Sequence, residues 1–231
     1  GQSYGRTSGN EAEAPMMWNA NYDGPGFYGF TTYSKTPLML SMLGGIVGDS
    51  SVQRAHREWA QTWMFKHPSP WDYMFFMSHA LKRDLGWFWY YWLVTTERVD
   101  ESIQDVRVQG TTASVTVRHS VEMPAPVILK IEFAPGDGAA RSPSAPRPLA
   151  PGSTGTISWL DANTAIVSYP VDVWFGGSRT FVANVNFASS QIARVALEAG
   201  SGAARRAGSR VIRKITLDPN ETTALTATPR S

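Results

Sequence analysis

Apolar positions recur every three or four residues between Thr31 and Asp105 and every second residue beyond it, so the chain divides into a helical part and a strand part. Residues 1–30 follow neither period. They are rich in Gly, Asn, Ser and Tyr and read as an extended arm whose one apolar patch is Pro15, Met16, Met17 and Trp18. The arm, like a later loop at 134–155, is expected to order only against a partner. A first helix is expected to begin at Thr31 or Thr32 as N-cap, with Pro37 in the first turn, where a missing N–H costs nothing. From Leu38 to Val47 it is apolar on nearly every side, which predicts a central place in a bundle, and Gly48 and Asp49 end it.

The next helix carries Val52, Ala55, Trp59 and Trp63 on one face and leaves Arg54, Arg57 and Glu58 toward water. A loop through His67, Pro68, Ser69 and Pro70 resets the direction. Ser69, Pro70 and Asp72 then have the order of a capped helix start, with a hydroxyl at the cap, proline at the first position and an acid at the third. That helix should run to about Leu81. Asp84 is expected to cap a further one holding Trp87, Phe88, Trp89, Tyr90, Tyr91 and Trp92. Between Trp63 and Trp92 lie 12 of the 27 aromatic residues, more than one helical face can bury, so some rings should meet another domain or chain or stay exposed.

Beyond Asp105 the period is two. Val106 and Val108, Val115 and Val117, then Val127, Leu129, Ile131 and Phe133 mark half-buried strands. Residues 134–155, rich in Pro, Gly, Ala and Ser, predict a long mobile loop. Strands are expected again at Ile157 to Trp159, Ala165 to Tyr169 and Val171 to Phe175. The last should form a hairpin with Thr180 to Phe187 through Gly176 and Gly177. Ile192 to Leu197 and Val211 to Leu217 read as further strands. The predicted fold class is therefore α+β: an arm (1–30), an aromatic-rich helical bundle fragment (31–105) and an antiparallel β-sandwich-like module (106–231).

Composition changes this picture little. An apolar fraction of 42% against 17% charged places the chain among globular proteins rather than disordered ones. No apolar run approaches the roughly 18 residues of a transmembrane segment. The net charge of +2 is unevenly split, −3 over residues 1–105 and +5 over the rest. Part of the excess is Arg205, Arg206, Arg210, Arg213 and Lys214, which read as a solvated, mobile basic segment, with docking on an acidic partner or an anionic lipid surface as the alternative. Nucleic acid is not indicated, because no binding motif accompanies the charge. The absence of cysteine excludes disulfides, thiol nucleophiles and thiolate metal sites. With Gly1 first and no signal peptide visible, the sequence reads as a mature, trimmed or cloned chain.

Candidate chemistry is sparse. The histidines are His56, His67, His79 and His119, and none opens an HExxH motif, in which two His one turn apart face one metal. Glu58 follows His56 by two positions and points elsewhere on a helix. No Ser, His and Asp arrangement, phosphate loop or cofactor motif is present in the sequence. Taken singly, Tyr33 reads as a packed tyrosine at a helix start, Lys35 as a surface or helix-end charge, His67 as a loop residue, and Asp72 and Asp84 as caps.

Taken together, these residues resemble a known pattern. Tyr33, Ser34, Lys35 and the apolar helix after them are similar to the tyrosine helix of gluzincin zinc aminopeptidases of the aminopeptidase N type. Trp63, Phe65, Lys66, His67, Pro68, Pro70, Trp71 and Asp72 resemble later signatures of that family, as do Asp84, Leu85, Trp87, Phe88, Trp89, Trp92, Thr95 and Asp100. The resemblance covers roughly residues 11–105, and the β-region fits the family's C-terminal β-module loosely. It implies that Tyr33 occupies the position whose hydroxyl donates to the oxyanion formed when zinc-bound water attacks a peptide carbonyl. The zinc ligands and the general base would lie before Gly1.

Two functions are consistent with that reading. In the first, the chain is a non-catalytic structural or interaction subunit of aminopeptidase ancestry, with no metal site or cofactor of its own. It would bind other protein subunits through Trp18, Trp63, Trp71, Trp87, Trp89 and Trp92 in an extracytoplasmic or periplasmic, membrane-associated complex. In the second, it is the C-terminal part of an active zinc aminopeptidase and Tyr33 is catalytic.

Overall fold

The computed structural model describes residues 13–18, 27–109, 112–120, 122–133 and 142–186, with strand backbone at 194–195, 205–206 and 211–217. They fall into two compact units, the first holding the described residues up to Val99 together with Glu122 and Met123, the second the other described residues from Asp100 on.

In the first unit the helix begins at Phe27, before the expected caps Thr31 and Thr32. Helix α1 (Phe27–Phe30) continues through a π-helical turn, Thr31–Lys35, into α2 (Thr36–Val47). Pro37 supplies the reason. Inside a helix its ring crowds the carbonyl four residues back, which is that of Tyr33, and it offers no N–H. A π-turn loosens the ladder at that place, and the Thr36 N–H reaches Thr31 O instead. The Thr36 hydroxyl donates to the same oxygen at 3.0 Å.

Helix α2 buries Leu38, Met39, Met42 and Leu43. Gly48, at φ +90°, turns the chain into α3 (Asp49–Trp63), a conformation that a residue with a Cβ rarely adopts. Val52 and Ala55 of α3 are buried, Trp59 and Trp63 half-buried, and Arg54, Arg57 and Glu58 exposed, the face its spacing predicts. Helix α4 (Pro70–Ala80) opens on the predicted capping box. The Asp72 carboxylate accepts from Ser69 N at 2.8 Å and from Ser69 Oγ at 2.7 Å, and Asp72 N donates to Ser69 Oγ at 3.3 Å. Asp84 Oδ1 accepts from Gly86 N at 3.0 Å at the start of α5 (Gly86–Trp89), which runs into a second π-turn, Tyr90–Val94. Leu85, Phe88, Trp89 and Trp92 enter the core from this segment.

The second unit has two sheets. In one, β1 (Glu101–Gln109), β2 (Thr112–His119) and β7 (Thr180–Asn186) lie antiparallel in that order. In the other the order is β4 (Arg147–Pro148), β5 (Thr156–Asp161), β6 (Thr164–Tyr169), β3 (Val127–Phe133), β10 (Val211–Leu217), β8 (Arg194–Val195) and β9 (Arg205–Arg206). All pairs are antiparallel except β10 with β8. The period-two residues face inward: Ala113, Val115 and Val117 from β2, Val127, Leu129 and Ile131 from β3, Ile157 and Trp159 from β5. The sheets meet where the Tyr169 hydroxyl donates to Asn184 O at 3.0 Å and its ring meets Phe181 edge-on, centroids 4.9 Å apart. The α+β class and the sheet module are as the periodicity indicates.

Three local expectations are corrected. Val171–Trp174 is a 3₁₀ turn, not a strand, and it forms no hairpin with β7, which pairs with β2 in the other sheet. Pro170 precedes it, and Val171 and Trp174, three apart and therefore eclipsed in a 3₁₀ turn, are both buried. The Trp174 indole N–H then donates to Ala125 O at 2.9 Å. Within the expected long loop, Arg147 and Pro148 add a short strand to β5, and Ser144 holds Trp159 through Ser144 N to Trp159 O (2.9 Å) and Trp159 N to Ser144 Oγ (3.1 Å). Residues 134–141 lie outside the described ones. Of the basic cluster read as mobile, Arg205 and Arg206 belong to β9 and Arg213 and Lys214 to β10.

Candidate functional site

Tyr33 occupies the middle of the first π-turn, and its side chain is 75% exposed. It is therefore not a packed tyrosine. Such turns often place residues for function, because they rotate side chains out of the regular helical phase. Lys35, in the same turn, points the other way. Its Nζ lies 2.9 Å from Glu13 Oε1, and both side chains are 1% exposed, which corrects the reading of Lys35 as a surface charge. A buried ammonium requires a partner, and the segment 13–18 brings one.

That segment also reaches the second π-turn. Met17 N donates to Leu93 O at 2.9 Å, and Trp18 N closes a turn onto Pro15 O at 3.0 Å. Residues 13–18 of the arm thus pack on their own unit. The remainder of the arm before Phe27 lies outside the described residues.

The six tryptophans expected at an interface are divided by the structure. Trp18 and Trp71 are more than half exposed, Trp63 and Trp87 are half-buried, and Trp89 and Trp92 are core residues. Trp89 donates its indole N–H to Ser78 Oγ at 3.0 Å, and Phe88 packs against both Trp89 and Trp92. Their place on the inward side of a short helix and π-turn excludes them from the surface.

Rings of the helical unit that are also more than half exposed, though not among the six expected interface residues, include Tyr28, Phe65, Phe75 and Tyr90. Phe65 is 96% exposed and has φ +62°. With Met64 at φ −53°, ψ 131° and Lys66 N bonded to Trp63 O at 2.9 Å, it holds the third position of a type II turn. Glycine is the usual residue there, so the sequence carries no signal of this turn. Phe75 stacks on Trp71, centroids 6.4 Å apart, and Lys66 Nζ lies 5.7 Å from the Trp63 ring centroid.

Among the described residues, two titratable side chains of the helical unit meet directly. His56 Nε2 and Tyr73 Oη are 2.8 Å apart with near-parallel rings between α3 and α4. Burial lowers the His56 pKa and raises that of Tyr73 to about 12, so both are neutral at neutral pH. The Ser69 hydroxyl and then the Ser69 N–H hold Asp72 below the usual carboxylate range, as befits a cap. His67 and His79 are exposed, and His119 is buried against Trp174, centroids 4.8 Å apart. Among the described residues no three of His, Asp and Glu gather as a metal would require, so the donor set for zinc is not assembled by them. A groove of about 650 Å³ along α3 and α4 is lined by Arg54, Glu58, Gln61, Phe76, His79 and Lys82 in mixed charge. Among the described residues no helix is long and apolar enough to cross a membrane.

No protein-family model matches the sequence, and no curated protein matches it. Among solved structures, Legionella pneumophila aminopeptidase A in complex with aspartic acid is similar at a TM-score of 0.45 and 9% identity, over 69% of this chain and 16% of that one. The chain thus spans about a sixth of the length of that protein. A likeness of this size leaves substrate, metal and partners to other observations.

Proposed function

We propose that this chain is a non-catalytic interaction subunit of zinc-aminopeptidase ancestry, which binds partner proteins through the aromatic surface of its helical unit in an extracytoplasmic, membrane-associated assembly. The observation that carries the reading is the exposure of Trp18, Tyr28, Tyr33 and Tyr90, each more than half accessible. Rings with a polar tip bury large area while keeping a hydrogen bond available, and they are enriched where proteins meet. The resemblance at Tyr33 to Lys35 and at Trp63 to Asp72 supports the ancestry. Isolation from the native source, with intact mass, zinc content and co-purifying proteins determined on one sample, tests it. A species free of zinc and bound to other proteins is expected.

A second reading rests on the exposure of Tyr33, whose hydroxyl is accessible to a group outside the chain. In it, this chain is the C-terminal part of a zinc aminopeptidase and Tyr33 donates to the oxyanion. A larger zinc-containing species with peptidase activity, lost in Tyr33→Phe, would favour this reading over the first.

A further inference from the structure

We propose that the turn joining α3 to α4 is a wedge that inserts into the interfacial zone of a lipid bilayer. Every residue from Met64 to Trp71 is exposed, and three of the eight are large and apolar: Met64, Phe65 and Trp71. Phe75, on the next turn of α4, extends the set by stacking on Trp71. The set lies on a turn between two helices, and Phe65 is the most exposed of its large side chains. Phe65 is carried at its tip by a left-handed backbone that phenylalanine adopts at a cost. That cost is borne although the ring is 96% exposed and gains almost no burial.

Charge points to the same occupant. From Met64 to Trp71 there is no Asp or Glu, while Lys66 and His67 follow the tip directly. The nearest acid, Asp72, has its carboxylate turned back into the Ser69 cap. Lys66 Nζ lies 5.7 Å from the Trp63 ring centroid, so a positive charge stands beside the exposed apolar set, where it can meet lipid phosphate. Aromatic rings at headgroup depth beside a cation are the signature of interfacial anchoring. The four apolar side chains present on the order of 500–600 Å² together, allowing about 150–250 Å² for a full ring. Burial of that much apolar surface at a bilayer interface attracts the wedge to lipid, and the charge of Lys66 adds to the attraction where the lipid is anionic.

Co-sedimentation of the full chain with phosphatidylcholine vesicles, with and without phosphatidylserine, tests the inference. Binding to both is expected, several-fold tighter with the anionic lipid, and the double substitution Phe65→Ser with Trp71→Ser should weaken it at least tenfold. Phe65→Gly separates insertion from folding: it relieves the left-handed strain, so the thermal midpoint should hold or rise while vesicle binding falls. No binding at millimolar lipid would overturn the proposal. So would binding that the double substitution leaves intact, which would mark plain charge adsorption elsewhere, or burial of Phe65 against a co-purifying protein instead of lipid.

Discussion

Lys35 Nζ and Glu13 Oε1, 2.9 Å apart and both sealed from water, tie the segment 13–18 to the π-turn that displays Tyr33. The pair is worth little as a net source of stability, because each charge lost its hydration on burial, but breaking it leaves the other charge uncompensated. Glu13→Gln is therefore expected to destabilise the protein by about 3 kcal/mol in urea unfolding. The double substitution Lys35→Met with Glu13→Leu should recover most of that loss. Equal stability of the single and double variants would mean that the pair is not buried in solution.

His56 and Tyr73 give the helical unit a pH dependence of definite sign. Burial lowers the His56 pKa below the ordinary 6.5, so the unfolded chain takes up its proton first as pH falls. This contribution is constant above pH 6.5 and is lost as the pH drops below it. Urea midpoints between pH 8 and pH 5 should show the loss, and His56→Gln should flatten it; an unchanged slope in that variant would assign the effect to another group.

Tyr73→Phe keeps the ring against Trp59 and Trp89 and removes only the hydroxyl that meets His56 Nε2. A loss of about 1 kcal/mol at neutral pH is expected from one part-buried hydrogen bond. A calorimetric midpoint unchanged from wild type would indicate that water replaces the phenol.

Trp174 closes the β-unit where a strand was expected. Its ring lies against His119 and Phe181 and its N–H reaches Ala125 O. Trp174→Ala should cost about 3–5 kcal/mol, as large core truncations do. Trp174→Phe should cost less, because it keeps part of the volume and loses the hydrogen bond. Unfolding followed by near-ultraviolet dichroism measures both.

Tyr33→Phe should change stability by less than about 0.5 kcal/mol, because the side chain is mostly in solvent. Any change it causes in partner capture or peptidase activity then reports function directly. Trp18→Ala combined with Tyr33→Ala should reduce partner recovery severalfold if these rings are anchors. Full recovery would remove them from the interface.

The parts of this fold that could be read from sequence are those governed by neighbours in the chain. Ser69 and Asp72 specify a capping box because three residues suffice to close it, and Val52, Ala55, Trp59 and Trp63 specify a helical face because 3.6 residues make a turn. Val115, Val117 and Leu129 announce strands by alternation alone. The π-turn at Tyr33 was hidden because Pro37 is read equally well as a first-turn residue, and only the helix entering from Phe27 makes it an internal one.

What the sequence by itself determined is the class of each half, the capping box at Ser69 and most strand positions, all of which follow from periods and hydrogen bonds a few residues long. The tertiary structure alone decided which aromatic residues are surface and which are core, for Trp71 and Trp89 are indistinguishable as residue types. It alone paired Lys35 with Glu13 across 22 positions, Trp174 with Ala125 across 49 and Ser114 with Asn184 across 70. Burial and partnership at such separations depend on how whole elements pack, and a buried charge or indole is satisfied by whatever that packing brings to it.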